Sequence, residues 1–169
     1  MKTSPKPRLD LIPAAEAETL PGLFRARAAR TPALAAYRQF DAATGEWVGF
    51  TWLQAFELIE RWQRSLAALG LASGERVAVH LRNGLEWVCY EQAALALGLV
   101  VVPLYPDDNP GNLAYILRDS GSRVLLLDTL SQWQALAPLR ERFPALTQVL
   151  CLERRSTAPL AGGLSFDRV

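Results

Sequence analysis

Apolar residues recur at steps of three and four from Trp52 to Leu69, through Ala55, Phe56, Ile59, Trp62 and Leu66, while Glu57, Glu60, Arg61 and Arg64 fall mainly elsewhere. That period puts an apolar stripe on one side of an α-helix. Thr51, with Gln54 three residues on, predicts reciprocal capping at its start, and Gly70 predicts a left-handed stop. The same grammar returns in "RNGLEWVCYEQAALALG". Asn83 reads as the cap with Glu86 as its partner, Leu85, Val88, Cys89, Ala93 and Leu95/Ala96 as the apolar face, and Gly98 as the stop.

Between such helices the pattern shortens to continuous apolar runs: "RVAVHL", "LVVVPLY", "RVLLLD" and "LTQVLCLE". A run without alternation suits a strand covered by helices on both faces, so "LVVVPLY" predicts a central strand of a parallel sheet. "NLAYILRDSG" follows as a helix entered through Asn109 and Pro110, and "TLSQWQALAPLRERF" as a helix that Pro138 kinks or divides. Strand and helix alternate from Arg76 to Glu153, which predicts right-handed βαβ crossovers and an α/β fold with a mostly parallel sheet and flanking helices.

Upstream, "ALAAYRQF" and "EWVGFTW" flank the polar turn Asp41–Gly45 and predict a β-hairpin attached at an edge of the sheet or packed nearby. Before it, "LPGLFRARAARTP" reads as a short helix with Leu23 and Phe24 on its apolar side and its arginines in solvent, ended by Thr31-Pro32. Three parts result: residues 1–19 as a loosely ordered lead-in, 20–153 as the folded unit, and 154–169 as a terminal loop that closes no further unit.

With 169 residues, half of them apolar, the chain can bury a core, and a formal charge of +1 spread over both halves excludes the electrostatic footprint of a nucleic-acid binder. Cys89 and Cys151 sit in apolar segments without C-x-x-C spacing, so they read as buried free thiols of a reducing cytoplasm. Nothing resembles a signal peptide or reaches the length of a membrane span.

Candidate chemistry is sparse. The P-loop pattern and G-x-G-x-x-G are absent, and the loop after "RVAVHL" offers only Arg82-Asn83-Gly84. His80 is the only histidine, which leaves no triad and no paired metal ligands, and it reads as a structural imidazole at a strand end. Trp52, Trp62, Trp87 and Trp133 fall in helices and read as core, with Trp47 in the hairpin. Asp107 and Asp108 could pair for acid-base work or hold a hard metal ion, but Asn109 as cap, Pro110 at the first helical position and acidic residues at a helix start give a geometric reason for the same sequence. These residues supply no catalytic, cofactor-binding or metal site.

Several separated blocks resemble the N-terminal part of the AMP-forming acyl-CoA synthetases, the adenylate-forming superfamily: G-x-R-V-A at Gly74–Ala78, N-x-x-E-W at Asn83–Trp87, V-P-L-Y-P at Val102–Pro106, and "LAYILRDSGSRVLLL". "PLYP" before "LAYILRDSG", with "LPGLFRARAARTP" upstream, is most similar to long-chain fatty acid-CoA ligases. The resemblance implies an incomplete N-terminal subdomain of an AMP-binding ligase of fatty acid metabolism. Such an enzyme joins fatty acid to ATP, releases diphosphate, and passes the acyl group to CoA with magnesium, in the cytoplasm or peripherally at a membrane. It also implies that the Ser/Thr- and Gly-rich phosphate loop and the catalytic lysine of a C-terminal domain have no counterpart here, since "LSFDRV" matches only the approach to that loop. Four readings follow: a ligase fragment inactive alone that associates with the missing C-terminal part, the N-terminal part of another acyl-adenylating enzyme, a complete enzyme of another kind that uses Asp107 and Asp108, and a non-catalytic interaction module that pairs with another chain or self-associates.

Overall fold

The computed structural model describes residues 10–153, together with the backbone of 165–168. A single helical turn, α1 (Ala14–Ala17), leads into α2 (Leu20–Arg30). An antiparallel hairpin of β1 (Ala35–Asp41) and β2 (Glu46–Thr51) precedes α3 (Trp52–Ala67). Then strands and helices alternate: β3 (Arg76–His80), α4 (Leu85–Ala96), β4 (Val100–Pro103), α5 (Pro110–Ser120), β5 (Val124–Leu127), α6 (Leu130–Leu136), a 3-10 segment at Ala137–Arg142, β6 (Gln148–Cys151) and β7 (Ser165–Arg168). The last five strands form one parallel sheet in the order β4-β3-β5-β6-β7.

Alternate side chains divide the sheet between two helical layers, as the two-residue period of a strand requires. Val77, Val79, Val124, Leu126 and Leu150 face a core built with Ala55, Ile59, Trp62 and Leu66 of α3 and Cys89, Tyr90, Ala93 and Ala94 of α4. Ala78, Leu125, Leu127 and Val149 face the other, with Leu113, Ala114 and Leu117 of α5 and Trp133 and Leu136 of α6. Phe24 of α2 joins the first core, where its ring meets Trp52 edge-on at 5.1 Å. Burial pushes the Cys89 thiol up to about 12, so it stays neutral, and both cysteines are buried and free.

The predicted helix 52–69 appears with its stripe inward and its Thr51/Gln54 capping box in place. Pro138 divides the sixth helix as expected, because its missing N–H and ring forbid a continuous α-helix there. Several expectations are corrected. β4 is an edge strand among the described residues, not a central one; Val100 is 47% exposed, and Pro103, which has no N–H for a second neighbour, suits an edge.

Asn83 does not cap α4. The N-cap is Gly84 in extended geometry, the Leu85 N–H donates to Gln39 Oε1 at 2.9 Å, and Glu86 instead accepts from Trp62 Nε1 at 2.9 Å. The buried face of α4 also turns, taking Tyr90 and Ala94 in place of Val88 and Leu95/Ala96.

Part of the lead-in is ordered, since Asp10 pairs with Arg27 at 2.6 Å and Arg30 at 3.1 Å, and Arg30 reaches Glu16 at 2.5 Å; the α2 arginines are therefore engaged and Leu23 is 39% exposed. Residues 1–9 of that lead-in lie outside the described residues. Finally, Ser165–Arg168, read as loop, extends the sheet by pairing with β6, while 154–164 lie outside the described residues.

Leu66 is fully buried between α3 and the sheet, so Leu66→Ala should cost about 2–5 kcal/mol through lost burial and a residual cavity. Leu53→Ala, at a position 47% exposed, should change stability by less than about 0.5 kcal/mol. Urea denaturation midpoints of the two variants check the contrast.

Candidate functional site

From β3 the chain moves outward through α4 to β4, then returns by α5 past β3 to β5 and continues in the opposite direction. The connections therefore diverge between β3 and β5, and in open α/β sheets ligands bind in the crevice beyond the carboxyl ends of the strands at such a point. Three loops converge there: His80 to Gly84 after β3, Leu104 to Asn109 after β4, and Asp128 with Thr129 after β5.

His80 ends β3 with 3% of its surface exposed, and its Nε2 lies 3.2 Å from the Tyr105 carbonyl oxygen. A carbonyl can only accept, so Nε2 carries the proton and Nδ1 holds a lone pair. That Nδ1 is buried and has no hydrogen-bond partner. Burial holds the imidazole pKa below 6.5, although the Pro106 and Tyr105 carbonyls and the nearby aspartates pull it up. The His80 carbonyl accepts from Gln132 Nε2 at 3.4 Å, which ties the β3 end to α6.

The two aspartates after β4 do not work as a pair. Asp107 Oδ1 receives Arg82 Nη2 at 2.9 Å in an ion pair whose side chains are 81% and 75% exposed. Asp108 Oδ1 accepts from the Asn109 N–H at 2.8 Å and from Asn112 Nδ2 at 3.0 Å, while Asn109 Oδ1 caps α5 by accepting the Asn112 N–H at 3.0 Å. Asp108 thus answers a local demand of the helix start, and Asp107 ties the β4 loop to the loop after β3. Among the described residues no group of three or more His, Cys, Asp or Glu could hold a metal ion.

The start of α6 is organised by residues that the sequence pattern did not single out. Gln132 Oε1 accepts the Asp128 and Thr129 N–H groups at 2.8 and 3.0 Å, and Glu153 Oε2 accepts the Leu130 N–H at 2.8 Å. Thr129 with Gln132 repeats the S/T-x-x-Q spacing that marked Thr51, so that part was available from sequence. Glu153 lies 23 residues from its partner, and no local signal announces it. The lysines of the chain are Lys2 and Lys6, so none follows a strand of the sheet. Among the described residues the crevice does not by itself fit a magnesium nucleotide: it presents carboxylates and one engaged guanidinium where a phosphate grip needs a cradle of free donors.

A family model described as AMP-binding enzyme matches residues 24–163. Phosphinothricin tripeptide synthetase PhsB of Streptomyces viridochromogenes is 38% identical over 118 residues, covering 69% of this chain and 10% of that protein. Long-chain-fatty-acid–CoA ligase FadD15 of Mycobacterium bovis is 33% identical over 106 residues, covering 63% of this chain and 18% of the ligase. The crystal structure of the N-terminal domain of FACL13 from Mycobacterium tuberculosis superposes with a TM-score of 0.67 at 30% identity, over 76% of this chain and 32% of that one. The chain therefore spans a small part of the length of these relatives.

Asp107→Asn removes only an exposed ion pair and should shift stability by less than about 1 kcal/mol. Asn109→Ala removes the α5 cap and should cost about 1 kcal/mol. Chemical denaturation of both variants decides whether the loop matters as charge or as cap.

His80 gives a pH test. Its folded pKa lies below the ordinary 6.5, so the unfolded chain binds the extra proton first. The stability it contributes is fully present above pH 6.5 and is lost as pH falls through its folded value. His80→Gln should flatten the stability loss that begins near pH 6.5, measured as denaturation midpoints across a pH series; equal slopes for the two proteins would refute this.

Proposed function

The chain belongs to the AMP-binding enzyme family, and we propose that it is the N-terminal segment of a long-chain fatty acid–CoA ligase, inactive by itself. In that reading the complete enzyme joins a fatty acid to ATP, releases diphosphate from the acyl-adenylate, and transfers the acyl group to CoA with magnesium. The observation that carries it is the combination of the family match over 24–163 with a switch-point crevice that has no phosphate grip among the described residues. This segment contributes the β3–β5 rim and the hydrophobic support beneath it, and the phosphate-binding donors come from other residues of the enzyme.

The buried free thiols Cys89 and Cys151 support a reducing cytoplasmic setting, and among the described residues no helix is long and apolar enough to cross a membrane. Association with the rest of the enzyme is supported by the apolar surface at the sheet edge, where Val100 is 47% and Tyr105 80% exposed. The 38% identity to a peptide synthetase favours a second reading, in which the segment belongs to an enzyme that adenylates an amino acid.

Fatty-acid-dependent exchange of pyrophosphate into ATP tests both. The 169-residue chain should show no exchange above buffer, and a product extended to the length of the relatives should exchange with a long-chain fatty acid and not with amino acids. Exchange by the short chain alone would overturn the reading, and exchange with amino acids only would select the alternative.

A further inference from the structure

A cavity of about 450 Å³ lies between the lead-in, α2, the start of α3 and Gln92 of α4, and its size is within the range of small-molecule sites. Leu20, Leu23, Phe24 and Trp52 form its apolar wall, and Leu11 and Ile12 of the lead-in lie along one side. Leu11, Leu20 and Leu23 remain 72%, 63% and 39% exposed, so the lead-in does not complete the burial of this surface.

The mouth of the cavity carries a built carboxylate grip. Asp10, itself a lining residue, places one carboxylate oxygen 2.6 Å from Arg27 Nη1 and the other 3.1 Å from Arg30 Nη1, and Arg27 Nη2 also donates to the Asp10 carbonyl. Two guanidiniums one helical turn apart thus converge on a single carboxylate beside an apolar chamber. The Asp10 side chain is 53% exposed and that of Arg27 22%, and Arg30 also donates to the Leu11 carbonyl at 3.1 Å and pairs with Glu16 at 2.5 Å, so a competing carboxylate must offset these contacts by what its own tail buries. A carboxylate joined to an apolar tail would keep the charge pairing and add burial of the exposed leucines, which Asp10 cannot do.

We propose that this cavity binds a single-chain carboxylic amphiphile, with its tail against Leu20, Leu23, Phe24 and Trp52 and its carboxylate replacing Asp10 between Arg27 and Arg30. The Asp10–Ile12 segment is then a displaceable plug. This assignment goes beyond the ligase reading and does not rest on it, because its lining residues include none of the crevice residues.

The test is titration of the 169-residue chain with dodecanoate, followed by calorimetry, with dodecanol as the uncharged probe. Dodecanoate should bind saturably and one-to-one. Arg27→Gln should weaken it about tenfold, the scale of a lost charge-assisted hydrogen bond, while leaving dodecanol unchanged. Asp10→Asn should tighten dodecanoate by removing the internal competitor, and Leu23→Glu, at a part-exposed position that does not threaten folding, should abolish binding of both probes. Circular dichroism melts confirm that each variant is folded. Absence of saturable dodecanoate binding, or binding that persists in both Arg27→Gln and Leu23→Glu, would overturn the assignment.

Discussion

Everything in this fold is arranged around two strands that have no wet face. Val77, Ala78 and Val79 of β3 and all four residues of β5 are fully buried, and a parallel strand in that state needs a helix on each side. The alternation of side chains then allots partners: α3 and α4 to one face, α5 and α6 to the other. The hairpin and α2 are stacked outside α3 and α4, which they cover further. Because the strand interiors admit only apolar groups, polar side chains of the sheet gather at strand ends. The crevice at the carboxyl edge is a consequence of that packing as much as of any ligand.

Helix starts show how local and distant sequence share the work. α3 and α5 carry their own caps, Thr51 with Gln54 and Asn109, each offsetting an unpaired N–H by about 1 kcal/mol. α4 has no such residue, and its first N–H is met by Gln39 from the hairpin, 46 positions away. Glu86, freed from capping, accepts from the Trp62 indole and locks α4 to α3 inside the first core, where the ring also meets Tyr90 edge-on at 5.3 Å. The hairpin, which also packs Tyr37 and Phe50 against the first core, is thus coupled to α4 through this side-chain amide, so its docking and the start of α4 depend on each other.

Legibility in the sequence follows the same division. Elements whose signal is a short period or a neighbouring cap, such as α3, α5 and the break at Pro138, are readable because their determinants lie within one or two turns. The place of β4 was misread because its apolar run describes burial of residues, whereas edge or centre is decided by which strand lies alongside; Pro103 was the one local clue. The Asn83 and Glu86 pattern failed because a tertiary acceptor outcompeted a good local motif. β7 could not be read at all from a tail of loop composition, since its pairing partner β6 supplies the reason it is extended. At the site, the Asp108 and Asn109 geometry was legible as helix-start chemistry, while the Arg82–Asp107 pair and the Glu153 contact needed the fold to bring them together.

The electrostatics of the carboxyl edge bear on what it can bind. Asp107, Asp108, Asp128 and Glu153 are brought there by the ends of β4, β5 and β6, and His80 adds a neutral ring with an unpaired lone pair. Among the described residues, Arg82 stands against them, already committed to Asp107. Such a rim repels a polyanion at a distance and offers acceptors at contact, the opposite of what triphosphate needs. A nucleotide site completed on this edge would have to draw its positive groups and its free N–H donors from residues other than these. The acceptor-rich rim would then orient those donors, with the dry β3 and β5 behind it holding the positions fixed.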